Sequence, residues 1–210
     1  MTEKNLRFAK VLVLVNAAVP LALMAWDSWH QKLGANPVNF LIRTTGMLAL
    51  IFLMLTMLVT PLRKVSGWNW IISSRRTLGL YAFLYASLHF LIFFSMDRGF
   101  NVSGTLSEMV KRKYLIVGST GLLVMVPLAV TSTNAMIKKL GGKRWRALHR
   151  LAYVAAIAGA LHYYMLVKAD TRQPLAFAAV LAILLGWRLV ENWRQRKPSP
   201  AADIKPKPEA

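Results

Sequence analysis

The residue type most able to do chemistry in this chain is histidine. There are four, His30, His89, His149 and His162, and no cysteine. Two of them stand in "HRLAYVAAIAGALHYYMLVK", residues 149–168, a stretch long and apolar enough to cross a bilayer. An imidazole among hydrocarbon chains is costly unless it is paired, and ionisable groups at such depth mark functional sites. His89 lies in a second apolar stretch, 77–96. At ~1.5 Å per helical residue, His89 sits ~20 Å in from Arg75-Arg76 and His162 ~20 Å in from His149. Both therefore lie at one depth. That is the placement for two axial ligands of one haem, and equally for a proton relay or for two hydrogen-bonded core histidines.

The faces around them are lined by small residues. Three, seven and ten positions before His89 stand Ala86, Ala82 and Gly79; before His162 stand Gly159, Ala155 and Ala152, with Ala158 four back. Such faces admit a flat cofactor or let two membrane helices pack closely. His149 lies ~140° around a continuous helix from His162. At its level the other stretch offers no histidine but Arg75 and Arg76, so a second haem there has one histidine ligand from these two stretches. The Arg pair and His149 are also suited to haem propionates, a flavin phosphate or a quinone head group. His30, beside Trp29, reads as an interfacial residue, and Met165 as a core methionine rather than a thioether ligand.

Long apolar helices must position these groups. The chain is 56% hydrophobic and 17% charged over 210 residues, with positive mean hydropathy, a composition foreign to soluble domains. Six stretches reach the length that ~30 Å of hydrocarbon requires: 8–26, 44–62, 77–96, 114–130, 148–167 and 174–190. The expected fold is all-α, a six-transmembrane helix bundle forming one domain over 1–192. The Pro-rich, charged remainder, 193–210, reads as a disordered cytoplasmic tail. The basic run after the N-terminus reads as the flank of a retained first helix, not as a secretory leader.

Charge sets the orientation. With both termini cytoplasmic, that side collects 19 of the 27 Lys and Arg and the other side 8, the positive-inside bias. Because the basic residues are spread over loops, the net charge of +19 points to membrane lipid and topology rather than nucleic acid. The lack of cysteine excludes disulfides, thiolate-held iron–sulfur clusters and covalent c-type haem. No internal repeat and no Gly-rich nucleotide loop is apparent. In the loop 97–113, Thr105-x-x-Glu108 has the capping-box pattern and can start a short surface helix, the alternative being a plain connector. The basic "GGKRWRALHR" reads as a topology signal and head-group anchor.

"LGANPV", "TPLRK", "RRTLGLYAFLYASLHF", "TSTNAM" and "KRWRALHRLAYVAAIAGALHYYMLVK" together resemble the MsrQ family, formerly YedZ, within the ferric-reductase-like transmembrane superfamily. The resemblance covers nearly the whole membrane region. It implies a multi-pass protein of the bacterial inner membrane, the haem-binding subunit of the MsrPQ methionine sulfoxide reductase system. Haem b, one or two, would be held by His89, His162 and His149, with FMN as a candidate further cofactor. Electrons would come from quinol of the quinone pool and go to a periplasmic molybdopterin reductase subunit, MsrP-like, that repairs oxidised methionines. A second histidine on helix three, found in the wider superfamily, is replaced in depth by Arg75-Arg76. On this reading the chain transfers electrons and has no substrate-converting site of its own. Two rival readings are a stand-alone ferric reductase, for which the outer loops offer only His30, Asp97 and Glu108 as metal ligands, and a small transporter or proton channel.

Overall fold

A computed structural model describes residues 3–196, with side chains from 7 to 194. Eight α-helices occur among the described residues, and no strand. In chain order they are α1 (Glu3–Trp29), α2 (Pro37–Ser66), α3 (Arg75–Ile92), α4 (Val102–Lys111), α5 (Lys113–Val130), α6 (Asn134–Leu148), α7 (Leu151–Leu166) and α8 (Arg172–Arg196). A 3₁₀ turn leads into α3 and a π-helical turn, Phe93–Asp97, continues it.

Five segments are long and apolar enough to cross a membrane: Arg7–Trp29, Pro37–Ser66, Asn69–Asp97, Lys113–Val130 and Arg172–Arg194. The sixth expected span, 148–167, is shorter than its apolar run. α7 has 16 residues, about 24 Å, because the chain breaks at His149 and Arg150 before it starts. His149 therefore caps α6 instead of lying on α7, and the angle expected between it and His162 on one continuous helix does not apply. α8 carries on through Arg196, so the tail expected from 193 begins in helix and otherwise lies outside the described residues.

The core is built from two hairpins. α2 packs along α3, and α5 along α7; the pairs meet where α3 touches α5 and α2 touches α7. α8 lies against α7 and α2, and α1 against α3. α2 starts with good helix chemistry: the Asn36 side chain accepts from the Asn39 N–H, and Pro37 follows at the first helical position. It ends at Gly67, whose positive φ (72°) lets its N–H reach the Arg63 carbonyl. α1 is fastened to α3 by two phenols, Tyr81 donating to the Leu14 carbonyl (2.9 Å) and Tyr85 to that of Ala17 (2.8 Å). Fully buried Tyr85 also stacks on Phe52 of α2 at 5.3 Å.

Two connections differ from expectation. The short helix in 97–113 is present, but it starts at Asn101, whose side chain accepts from the Gly104 N–H. Thr105 is not its cap: the hydroxyl is buried and donates back to the Asn101 carbonyl. Glu108 pairs with Arg98 and Arg112, while Val102, Leu106 and Val110 form an exposed stripe along α4. The basic stretch before His149 is itself helical. α6 starts from a Thr133 cap and bends at Gly141, whose φ is 75°.

Candidate functional site

His89 and His162 come together. Their ring centres are 6.1 Å apart and their planes cross at 84°. Each ring is fixed by the partner helix of its own hairpin. His89 Nδ1 donates to the Ile42 carbonyl of α2 at 2.8 Å, and His162 Nδ1 donates to the Tyr114 carbonyl of α5 at 2.7 Å. With Nδ1–H given away, each Nε2 keeps its lone pair, the state a metal needs.

These carbonyls already belong to helix ladders, so a side chain can reach them only where the helix surface is open. Glycine opens it in both places, four residues on. A Cβ on Gly46 would stand 2.8 Å from His89 Nδ1, and one on Gly118 would stand 2.6 Å from His162 Nδ1. Each cradle thus consists of a carbonyl, a glycine one turn later and a histidine from the next long helix, across 47 and 48 residues respectively. This is an internal repeat that the sequence did not display. Both hairpins run the same way, so it is a parallel repeat about an axis along the bundle, unlike the inverted repeats common in transporters.

The separation fits one metal ion between the rings. Metal–imidazole bonds are about 2.0–2.1 Å and an imidazole centre lies about 1 Å from its Nε2, so two rings on opposite sides of one ion stand roughly 6 Å apart.

The glycines of the small-residue faces lie against neighbouring helices. A Cβ on Gly79 would meet Thr56 of α2, one on Gly159 would meet Leu50 of α2, and one on Gly121 of α5 would meet Ala158 and the Ala155 carbonyl of α7. They bring helices close, the second of the two readings their sequence allowed.

At the opposite end of the bundle, His149 stacks on Trp145 at 3.8 Å and donates Nδ1–H to the Trp145 carbonyl at 3.1 Å. Its Nε2 is buried and makes no hydrogen bond of good geometry. The Leu128 backbone is nearby, but a carbonyl cannot satisfy a lone pair. Arg75 lies near His149 and also reaches Tyr153 of α7 and Arg188 of α8. Arg188 in turn sits over the Tyr153 ring at 5.0 Å. Arg76 turns away and donates to the Asn134 side chain at the start of α6. Of the predicted pair, only Arg75 joins His149, and sequence reading missed Tyr153 and Arg188.

His30 lies against Trp26, ring centres 4.1 Å apart and tilted by 35°, and donates to its carbonyl, much as His149 does with Trp145. That local Trp–His arrangement is therefore no mark of a ligand. The bonds that cross between helices set His89 and His162 apart.

Comparison with known proteins agrees with this architecture. Residues 45–160 match the family described as "Ferric reductase like transmembrane component", from the turn that holds Gly46 to just short of His162. Curated relatives named "Protein-methionine-sulfoxide reductase heme-binding subunit MsrQ" align along almost the whole chain. That of Herminiimonas arsenicoxydans is 44% identical over 91% of this chain and 89% of its own. Those of Azospira oryzae and Rhodospirillum rubrum are each 44% identical, over 98% and 91% of this chain and 88% and 92% of theirs. With a transmembrane family matched across both hairpins and such relatives aligned end to end, the chain is a multi-pass membrane protein that belongs to the MsrQ family.

Proposed function

We propose that this chain is the haem b subunit of a protein-methionine-sulfoxide reductase system of the bacterial inner membrane, taking electrons from quinol and passing them to a periplasmic molybdopterin reductase. The observation that carries this reading is the facing histidine pair, each ring donating Nδ1–H to a carbonyl of a neighbouring helix. The relatives' printed name, a haem-binding subunit, supports it. So does the positive-inside charge pattern, which favours both termini cytoplasmic if α7 crosses along with the five longer spans.

On this reading haem b, held by His89 and His162, would supply reversible one-electron chemistry. The protein's part is to hold and tune. The Ile42 and Tyr114 carbonyls fix the tautomer and raise the basicity of each imidazole. Gly46 and Gly118 let the rings approach those carbonyls, and the aligned hairpins hold the rings at one depth. At the far end, Arg75, Arg188, Tyr153 and His149 form the receiving site for the electron donor, an anionic FMN or a quinol head group, or for a second haem with His149 as one ligand. Two guanidinium groups facing one phenol favour a negative or electron-rich occupant there.

Visible and low-temperature EPR spectra of detergent-purified protein test the reading. A low-spin b-type signal that quinol reduces is expected. Colourless protein from haem-replete cells overturns it, and leaves the helix bundle to be read as a transporter or channel.

A further inference from the structure

The two carbonyls that hold the histidines are not equally secure. Ile42 is the sixth residue of α2, beyond a first turn fastened by the Asn36 cap and Pro37. Tyr114 is only the second residue of α5. That helix has no side-chain cap and no acidic residue in its first turn, and it opens on Lys113, a cation at the positive end of the helix dipole. An uncapped first turn frays. Yet this turn carries the carbonyl that fixes His162 at 2.7 Å.

Side chains of the preceding connection take the place of the missing cap. Arg112, the residue before α5, pairs with Glu108 of α4 and donates from Nη1 to the Tyr114 hydroxyl at 3.1 Å. The Tyr114 ring in turn lies 5.8 Å from the His162 ring, centre to centre. Glu108 supplies the acidic group that the first turn of α5 lacks, and its side chain is only 17% exposed. It also reaches Arg98 at 3.7 Å. Arg98 follows the π-helical turn that continues α3, the helix of His89. One carboxylate thus joins the end of α3 to the start of α5, across the two hairpins. We infer that Glu108 and Arg112 are positioning residues of the histidine site: they clamp the first turn of α5 and so keep the Tyr114 carbonyl against His162. They act on one ring of the pair, because the helix that holds His89 has a cap of its own. The inference rests on the haem reading above and adds the residues that decide how firmly the His162 side of the iron would be held.

Hydrogen exchange and carbon monoxide binding test this in the full-length chain. In apo-protein from haem-deficient cells, the amides of Val117 and Gly118 report opening of the first turn of α5, and those of Phe40 and Leu41 report opening of the first turn of α2. Glu108→Gln should speed exchange at the first pair about fivefold, the upper end for an ion pair still partly in water. The second pair should stay near wild type. Arg112→Gln should act in the same way, and the double variant should be no worse than the worse single one. Glu108→Asp, which keeps the charge, should recover part of the protection. In haem-loaded protein, an iron held from both sides offers carbon monoxide no position, so reduced Glu108→Gln and Arg112→Gln should bind the gas faster than wild type by a similar factor. Unchanged exchange in both variants overturns the inference. So does faster exchange at both helix starts alike with a lower melting temperature, which marks a general loss of fold. Faster exchange at α5 with carbon monoxide binding equal to wild type marks a clamp that does not reach His162, and overturns it too. A colourless wild type from haem-replete cells sinks the haem reading itself, whereas loaded wild type and variants that bind the gas alike sink this inference alone.

Discussion

Gly118→Ala is the sharpest test of how the histidine pair is held. The added Cβ would stand 2.6 Å from His162 Nδ1, 2.9 Å from Cε1 and 3.1 Å from Cγ. It meets the ring edge itself, not the end of a flexible chain. Ordinary contact begins near 3.4 Å, so the ring must retreat by about 0.8 Å. Moving it off the α5 surface stretches the 2.7 Å bond to Tyr114 to about 3.5 Å, where a hydrogen bond no longer counts. Losing such a supporting bond typically lowers metal affinity by about 10–100-fold, or roughly 1.4–2.8 kcal/mol. Gly121→Ala, one turn along α5, is the matched control. Its Cβ would touch Ala158 at 3.3 Å and no histidine, so it perturbs packing between α5 and α7 without disturbing the ring. Haem retained per protein and the low-spin EPR signal should fall in Gly118→Ala and stay near wild type in Gly121→Ala, with apo-protein melting measured for both. The reasoning is refuted if Gly118→Ala holds haem as tightly as wild type, or if both substitutions lose it in step with their loss of thermal stability.

Other outcomes follow from the same geometry. His89→Ala and His162→Ala should each abolish the low-spin signal while leaving folded protein in the membrane, because the apolar spans do not depend on either ring; a low-spin spectrum surviving both rejects the pairing. Arg75→Ala should slow quinol-driven haem reduction, whereas Arg76→Ala, which removes only a bond to Asn134, should leave the rate near wild type. Equal rates in all three proteins would remove Arg75 from the donor site. Arg112 is engaged by Glu108 and Tyr114, so the steering charges of the α4 region are Lys111 and Lys113, which are exposed. Changing both to Ser should slow reoxidation by the periplasmic reductase at low salt, with the difference shrinking as salt screens the encounter. An unchanged rate across salt rejects that docking surface.

The histidine pair was legible in the sequence because depth in a helix is a linear count, and two histidines about 20 Å from basic ends must lie level. The long apolar helices were legible for the same reason, since length and hydropathy are local. The carbonyl cradles were not. A glycine in a membrane helix signals close approach without saying by what, so Gly46 and Gly118 look like Gly79, Gly121 and Gly159, which only bring helices together. His149 was misplaced because its apolar neighbours continue the pattern of α7, while the backbone breaks at 149–150 to let α6 fold away. The missed signal for α6 was Thr133, a good cap before Asn134. Asn101 likewise outcompetes Thr105 at α4, because the Thr105 hydroxyl is spent inside the helix.

On the proposed function, the parallel repeat would let a bundle with so few polar groups offer a haem like ligands from both halves. Each hairpin contributes one carbonyl, one glycine and one imidazole in the same order, and nearly the same number of residues separates carbonyl from histidine. Each imidazole, made more basic by donating its Nδ1–H to a carbonyl, would be a strong ligand to haem iron, and two strong ligands favour the low-spin state. The hairpins touch each other, α3 against α5 and α2 against α7, less extensively than α2 packs on α3 or α5 on α7. An iron held by both His89 and His162 would therefore link the two halves directly. Haem binding should stabilise the contact between hairpins more than the hairpins themselves, since binding to the native state alone raises its stability by mass action. In hydrogen exchange, haem loading should protect amides where α3 faces α5 and α2 faces α7 more than those between α2 and α3. Uniform protection across both kinds of contact would mean that the halves are already locked before the cofactor arrives.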